Sequence, residues 1–221
     1  MILVSIDTST KYASIGITNL EQSYFYNWES QYNHGVELTK NLRTLLGNIK
    51  ADASDITHLA VALGPGGFSS VRVGISTALG LATPKNLPII GVPTHDIQLE
   101  PFRKILANKI NITSVISAGR NEVSWKKYNI NEVTSGISTI EKLIETSGTN
   151  DMFCGEYFDK KNNLNLSKNS ILLEKKVRDP KTFNNLAKKM FIDGSYKEYN
   201  EIKPIYSREP TISSPKSKKG K

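Results

Sequence analysis

The chain has 221 residues, of which 38% are hydrophobic and 23% are charged. This composition is typical of a globular protein with its own core and excludes an intrinsically disordered chain. The formal net charge of +8 is unevenly distributed, because residues 1–98 hold 6 basic and 7 acidic residues whereas residues 99–221 hold 23 and 14. A basic half can attract nucleic acid or an acidic partner, but a lysine-rich solvated surface has the same composition.

The sequence also predicts where the protein is found. No apolar run approaches the ~20 residues that span a bilayer. No basic segment precedes the apolar residues at the N-terminus, as it would in a signal peptide. The single cysteine, Cys154, cannot form an internal disulfide and cannot hold a zinc ion alone. We therefore expect a cytoplasmic protein.

Strand and helix patterns alternate in the first half of the chain. The stretches ILVSID, YASIGITN and QSYFYNW predict three strands in an antiparallel meander. An amphipathic helix is predicted over residues 34–49, followed by a strand at HLAVALG, a helix over residues 68–82 and a strand at LPIIGVP. Strand–helix–strand units of this length imply parallel pairing with right-handed crossovers.

The second half is less regular. Its patterns predict strands at 111–117, 121–130 and 151–155, helices at 138–146 and 181–191, and a polar loop at KKNNLNLSKNS. The change of composition near residue 99 predicts two lobes. We expect an N-terminal lobe over 1–98, a C-terminal lobe over 99–203, and a C-terminal segment over 204–221 with a flexible basic tail.

The helix predicted over residues 68–82 is apolar on nearly all sides. From Val71 to Ala82 its only strongly polar residue is Arg72, and Gly74 and Ala78 lie on a face with almost no side-chain bulk. Such a helix must be covered on more than one side, whether by a second helix of this chain, a second copy or a different protein. Together with the amphipathic helix before it, the candidate partner-binding residues are Leu38, Leu42, Leu45, Val71, Arg72, Gly74, Ile75, Ala78, Leu79 and Ala82.

Two segments have the composition of phosphate-binding loops. Asp7 precedes three hydroxyl residues at a turn between strands, where these groups could hold Mg²⁺ and phosphate or simply bond their own backbone. The segment GPGGFSSVRVG leads from a strand into a helix that Ser69 or Ser70 could cap. It lacks the Lys-Ser/Thr of a P-loop and the spacing of a dinucleotide fingerprint. The candidate phosphate-binding residues are Asp7, Thr8, Ser9, Gly64, Gly66 and Gly67.

The histidines and the cysteine predict no metal site and no catalytic residue. His34 begins the first helix, but Leu38 occupies the position where a second imidazole would share a metal ion. His58 and His95 lie in other predicted elements, with no spacing that links them. Cys154 lies in the apolar sequence MFCG, which predicts an inert buried thiol.

In combination, these motifs resemble the TsaB (YeaZ) family of bacterial tRNA threonylcarbamoyladenosine biosynthesis proteins. The resemblance is carried by ILVSIDTST, His34 at the start of a helix, HLAVALGPGGFSSVRVGISTALGLA and LPIIGVPTH, and it is dense over residues 1–95. Further along, SAGRNEV, CGE and KPIYSREP are similar to the family's DAGRGEVY, its glycine–acid pair and its closing PxYLR. The resemblance implies an α/β fold of the ASKHA (actin-like ATPase, ribonuclease H-like) class, with two lobes of mixed sheets flanked by helices.

The same resemblance implies a scaffold rather than an enzyme. TsaB is a paralogue of TsaD, which transfers a threonylcarbamoyl group to the adenosine next to the anticodon of tRNAs that read ANN codons. TsaD carries a histidine pair for its metal where this chain has His34 and Leu38. The family member activates TsaD, with TsaE as an ATP-dependent third component. The implied assembly is a heterodimer with a TsaD-like subunit through the two N-lobe helices, or a homodimer when alone. The resemblance further implies that this chain contacts tRNA only through the complex and has no cofactor of its own. The complex uses ATP and Mg²⁺.

The chain departs from the family pattern at four positions. Ser117 replaces an aspartate, Asn121 and Ser70 replace glycines, and Gly67 replaces a serine. These replacements argue against a nucleotide-linked role of the four positions. Three alternatives therefore stay open. They are a nucleotide-dependent kinase or hydrolase using the two candidate loops, a metallopeptidase, which would need paired ligands, and a nucleic-acid-binding module that uses the basic half.

Overall fold

Two five-stranded sheets organise the chain. The computed structural model describes residues 1–31, 33–106, 110–119, 121–148, 151–159, 171–173, 177–197 and 199–208. The strands of the first sheet are β1 (Leu3–Asp7), β2 (Tyr12–Thr18), β3 (Ser23–Glu29), β4 (His58–Ala62) and β5 (Ile89–Val92). The strands of the second are β6 (Asn111–Gly119), β7 (Glu122–Tyr128), β8 (Val133–Thr139), β9 (Asp151–Cys154) and β10 (Ile171–Leu172).

Helices cover these sheets. They are α1 (His34–Asn48), α2 (Phe68–Ala82), α3 (Thr94–Leu99), α4 (Arg103–Leu106), α5 (Ile140–Glu145) and α6 (Pro180–Ile192). Within the described residues, none of them has the length and apolar content needed to cross a membrane.

The first sheet has the strand order β3-β2-β1-β4-β5. β1, β2 and β3 pair antiparallel, while β4 pairs parallel to both β1 and β5. The predicted meander and the predicted parallel crossovers are therefore confirmed. The second sheet has the order β10-β9-β6-β7-β8, again with one antiparallel half and one parallel half.

Alternate residues of the first sheet pack against helices on opposite sides. Val4 and Ile6 of β1 pack with the buried side chains of α1 and α2. Leu3 lies on the other face, against Phe183 and Ala187 of α6. This period-two alternation is expected of a strand that is covered on both faces.

The position of α6 requires a correction to the predicted lobe boundaries. Residues 99–203 were expected to form one C-terminal lobe, but α6 packs on the first sheet, and Ile202 joins the core beneath α1 and α2. The chain therefore leaves the first lobe after residue 98 and returns to it from residue 180 onward. The polar loop KKNNLNLSKNS and the basic tail lie outside the described residues.

The strand β8 replaces part of a predicted helix. A helix was expected over 138–146, but α5 begins only at Ile140, where Thr139 caps it by accepting a hydrogen bond from the Lys142 amide. The preceding residues, VTSGIST, form an edge strand paired with β7. Gly136 lies directly against the Trp125 ring of β7, and a side chain at this position would collide with that ring.

The small residues of α2 face the sheet of their own chain. Gly74, Ala78 and Ala82 are buried, and a Cβ atom at Gly74 would lie 2.5 Å from Thr8 Oγ1 and 3.6 Å from Ile6 Cγ2. The absence of bulk therefore lets α2 approach β1 closely, rather than leaving a face free for a partner.

Replacing Gly74 with leucine is therefore expected to destabilise the fold itself. Overpacking of this kind costs about 1–3 kcal/mol or more, and it should appear as a lower urea midpoint for the isolated chain. Gly80→Leu is the matched control, because a Cβ atom at Gly80 meets nothing within 4 Å. Equal stability of the Gly74 variant and the wild type would contradict this packing.

Candidate functional site

The turn after β1 is held by its own side chains. Asp7 Oδ1 accepts hydrogen bonds from the Ser9 amide at 2.9 Å and from Ser9 Oγ at 2.6 Å. Thr8 Oγ1 donates to the Ser70 carbonyl at 2.7 Å, which ties the turn to the first turn of α2. All three candidate residues of this turn are buried. The Asp7 carboxylate thus bonds the backbone of its own turn, as the sequence allowed as an alternative to phosphate binding, and both hydroxyls donate within the chain.

The glycine loop before α2 packs directly on this turn. The Gly67 amide donates to the Ser9 carbonyl at 2.8 Å, and a Cβ atom at Gly66 would collide with that same carbonyl. Gly64 has a φ of 96° and lies against the carbonyl of Ile205. The glycines are therefore required because two other backbone segments approach them closely.

The predicted helix cap in this loop is wrong. Neither Ser69 nor Ser70 is the N-cap of α2, because the helix begins at Phe68 and its cap residue is Gly67, which makes no side-chain cap hydrogen bond. Ser70 Oγ donates instead to the carbonyls of Gly67 and Ser9, at 2.9 and 3.2 Å.

A buried arginine joins the two lobes beside the turn. Arg178 Nε donates to Asp7 Oδ2 at 2.6 Å, and Nη1 donates to Glu156 Oε2 at 2.9 Å. Burial opposes the charge of the guanidinium, but the two carboxylates raise the pKa of Arg178 above its ordinary value. The other contacts of the guanidinium, all from Nη2, are with Ser9 Oγ (3.3 Å), Thr10 Oγ1 (3.0 Å) and the Tyr12 carbonyl (3.3 Å).

The cleft does not fit a Mg²⁺–nucleotide at this position. Mg²⁺ requires carboxylate oxygens that are free to coordinate it, whereas Asp7 and Glu156 are both bonded to Arg178. Phosphate requires exposed amides in the glycine loop, whereas the Gly67 amide is bonded to Ser9.

Nothing in the sequence pattern around Arg178 distinguishes it from a surface cation, although its partner Glu156 belongs to the CGE motif.

The first helix does not provide a pair of metal ligands. Leu38 is fully buried in the core. Burial lowers the pKa of His34, against the opposing influence of Glu37 and Asp7. Within the described residues, no three His, Cys, Asp or Glu side chains are grouped as metal ligands would be.

The cysteine has the environment that the sequence predicts. Cys154 is fully buried, and this burial raises the pKa of its thiol to about 12. The predicted burial of the thiol is confirmed, and the raised pKa disfavours the reactive thiolate form.

A cavity of about 310 Å³ lies between the lobes, and His95 lies at its wall. His95 Nδ1 is 2.9 Å from Ser114 Oγ and Nε2 is 3.1 Å from Ser124 Oγ. Both ring nitrogens are therefore engaged within the chain.

The environment of His95 predicts a loss of stability in acid. Burial, reinforced by the charge of Lys126 and Arg178 and opposed by Asp96, lowers its pKa to about 3, whereas an unfolded histidine titrates near pH 6.5. Between these values the unfolded chain binds a proton that the folded chain does not, so stability falls as the pH decreases from 6.5 toward 3.

Replacing His95 with glutamine should remove this dependence. Urea unfolding at pH 7 and pH 5 is expected to show that the wild type loses roughly 2 kcal/mol more than the variant between these two pH values. An equal loss in both proteins would contradict a neutral buried His95.

Most of the predicted partner-binding residues lie in the core, and this prediction needs correction. On α1, Leu38, Leu42 and Leu45 are buried beneath the helix, because the apolar stripe of an amphipathic helix faces its own sheet. On α2, Val71, Gly74, Ile75, Ala78 and Ala82 are buried in the same way. Of the predicted set, Arg72 is exposed and Leu79 is half-buried.

Arg72 is held by the returning C-terminal segment. Its guanidinium lies 3.8 Å from the centre of the Phe68 ring, and its Nε donates to the Tyr206 hydroxyl at 2.7 Å. The two rings also contact each other, with centroids 4.8 Å apart. Tyr206 of this segment thus holds a cation at the start of α2.

The sides of α1 and α2 that point away from the sheet form one surface, which we call the outer helix face. Within both helices the only acidic residue is Glu37, which is half-buried and accepts a hydrogen bond from Trp28 Nε1 at 3.0 Å. Val36 is 74% exposed. The residues of the outer helix face are Gly35, Val36, Thr39, Lys40, Arg43 and Thr44 of α1 and Arg72, Ser76 and Gly80 of α2.

Gly80 has no role within the described chain that requires glycine. A Cβ atom there would meet nothing within 4 Å, and a glycine inside a helix costs about 1 kcal/mol relative to alanine. Gly35 is similarly open, since its nearest neighbour would be Val73 Cγ1 at 3.9 Å. The outer helix face is therefore basic, partly apolar and locally without bulk.

Two lobes of mixed sheet and helix, with a cleft at the first strand turn, define the actin-like, ribonuclease H-like α/β fold. The solved structure of YeaZ from Pseudomonas aeruginosa is similar to this chain with a TM-score of 0.73 and 19% sequence identity, covering 93% of this chain and 100% of that one. The predicted fold class is confirmed.

The sequence comparisons identify the family. The family model described as "TsaD: tRNA N6-adenosine threonylcarbamoyltransferase" matches residues 28–192. The Escherichia coli (strain K12) tRNA threonylcarbamoyladenosine biosynthesis protein TsaB is 31% identical over 60% of this chain and 57% of its own length. TsaB of Buchnera aphidicola subsp. Acyrthosiphon pisum is 29% identical over 65% of each chain. The chain thus spans less than two thirds of the length of these relatives. It belongs to the family defined by the TsaD domain, and within that family to the TsaB (YeaZ) proteins.

Proposed function

We propose that this chain acts in tRNA threonylcarbamoyladenosine biosynthesis as a non-catalytic subunit that binds and activates a TsaD-like threonylcarbamoyltransferase. The names of its relatives support the pathway. The observation that carries the subunit role is the outer helix face, where Gly80 is exposed on a helix although no contact among the described residues requires glycine there. Small residues permit close approach of another helix by ridge-into-groove packing.

The partner in this proposal is a TsaD-like subunit that presents its own helix pair to α1 and α2. Lys40, Arg43 and Arg72 make the outer helix face basic, so the matching surface should be neutral or acidic. The same face would mediate a homodimer when the partner is absent. A TsaE-like ATPase and tRNA would join through the complex, and ATP and Mg²⁺ would be used there.

The cleft supports a role other than catalysis. Asp7 and Glu156 are neutralised by Arg178, and the glycine loop is closed on the turn after β1. A kinase or hydrolase would need a free carboxylate or base at this position.

A depleted cell extract tests the proposed function. An extract of the source organism without this chain is given tRNA, threonine, bicarbonate and ATP, and threonylcarbamoyladenosine in the tRNA is measured by mass spectrometry. Adding back the purified chain should restore its formation, whereas Gly80→Trp should not. Lys189→Trp, which places the same bulk on the exposed side of α6, is the matched control and should restore it. Formation at the same rate without the chain would contradict the proposal.

A further inference from the structure

The environment of Arg178 is that of a bound cation. Its side chain is 2% exposed, and its guanidinium contacts five oxygen atoms at 2.6–3.3 Å. These are carboxylate, hydroxyl and carbonyl oxygens, the same classes of ligand that hard divalent cations take in proteins. The oxygens come from the end of β1, the turn after it, the start of β2 and the turn after β9. Arg178 itself lies two residues before Pro180, the first residue of α6.

The hydroxyls around the guanidinium complete this shell. Thr10 Oγ1 donates to Glu156 Oε2 at 2.6 Å while accepting from Arg178, and Ser9 Oγ donates to Asp7 Oδ1 while accepting from Arg178. Each hydroxyl therefore bridges the guanidinium and a carboxylate. Two buried carboxylates without a cation would be strongly unfavourable.

We propose that the Arg178 guanidinium is a built-in substitute for a divalent cation in the interlobe cleft. It neutralises Asp7 and Glu156, links the two lobes, and leaves no position for a Mg²⁺–phosphate group beside the turn after β1. The inference concerns the cleft and not the outer helix face, so the docking surface in the proposed function does not depend on it.

Chemical rescue tests the substitution of one cation by another. The Arg178→Ala variant should have a lower midpoint of thermal unfolding than the wild type, and low millimolar guanidinium should raise that midpoint. Urea at the same concentration has a similar shape without charge and should not raise it. The control is Arg103→Ala, which removes an exposed ion pair with Glu100 and should show no response to either compound.

Binding of Mn²⁺ alone, measured by titration calorimetry, gives a second test. Arg178→Ala should bind one Mn²⁺ ion at least tenfold more tightly than the wild type, and adding Asp7→Asn should abolish this gain. Equal Mn²⁺ binding by the wild type and Arg178→Ala, or a folded Arg178→Ala variant that guanidinium does not stabilise more than urea, would overturn the proposal.

If Arg178→Ala does not fold, a variant without any charge at these three positions tests the proposal. The triple variant Asp7→Asn, Glu156→Gln and Arg178→Met removes both the carboxylate charges and the cation. The proposal requires that this variant folds and does not bind Mn²⁺, because its shell no longer needs a positive charge. Failure of the triple variant to fold would overturn the proposal.

Discussion

Replacing Arg178 with methionine is expected to destabilise the isolated chain by about 3–5 kcal/mol, which is the cost of leaving buried charges without their partner. The guanidinium is the shared partner of Asp7 and Glu156, and it also bonds residues on both sides of the cleft. Because stability of a domain is only about 5–15 kcal/mol, this change is a large fraction of the total. Urea unfolding with a measured slope would report it.

Two comparisons separate this effect from a simple loss of packing. The triple variant Asp7→Asn, Glu156→Gln and Arg178→Met should recover most of the loss, since replacing a whole buried ion network by neutral groups is often close to neutral. Arg103→Met removes an ion pair that is exposed to solvent and should cost less than ~1 kcal/mol. A single Arg178 variant as stable as the wild type would contradict the structural importance of this cation.

Placing tryptophan at Gly80 is expected to weaken binding of a purified TsaD-like subunit by at least 100-fold, or ~2.7 kcal/mol. The indole would occupy the space through which a partner helix must approach. The isolated chain should stay folded, because Gly80 is exposed and a Cβ atom there would meet none of the described atoms within 4 Å. Titration calorimetry measures the affinity, and circular dichroism measures the fold.

The matched control for Gly80→Trp is Lys189→Trp on the opposite side of the first sheet. Lys189 is an exposed residue of α6, and its replacement adds the same surface bulk without touching α1 or α2. Its affinity for the partner should equal that of the wild type. Equal affinity of Gly80→Trp and the wild type would exclude the outer helix face as the docking surface.

The strands and helices of the first lobe follow from local sequence. α2 has the residue range that its pattern predicts, and α1 ends one residue before its predicted end. Strand alternation and helical periodicity are carried by neighbouring residues, so the sequence alone is sufficient to locate these elements.

The orientation of α2 could not be predicted in the same way. A helix that is apolar on nearly all sides has little difference between its faces, so its pattern does not indicate which face meets the sheet. The sheet accepts the small face because Thr8 and Ile6 lie directly beneath Gly74. These contacts join residues 66 and 68 positions apart in the chain, and no local pattern contains them.

The positions of Arg178 and α6 in the fold could not be predicted from local sequence either. Arg178 lies in a stretch of charged residues, KKVRDP, that is typical of a surface, and its burial depends on Asp7, 171 positions away. The amphipathic pattern of α6 predicts the helix but not the sheet on which it packs.

The conformation of Asn121 depends on local sequence. Its φ of 63° is in the left-handed region. Asparagine adopts that region more readily than most residues, so it can occupy this position, where the family pattern has glycine.

Hydrogen–deuterium exchange of the chain with and without a TsaD-like subunit tests the docking surface most directly. Slower exchange is expected in peptides from residues 34–48 and 68–82 when the partner is bound, with exchange in residues 180–192 unchanged. Protection confined to α6 or to the second sheet, with α1 and α2 exchanging as in the free chain, would contradict docking through the outer helix face.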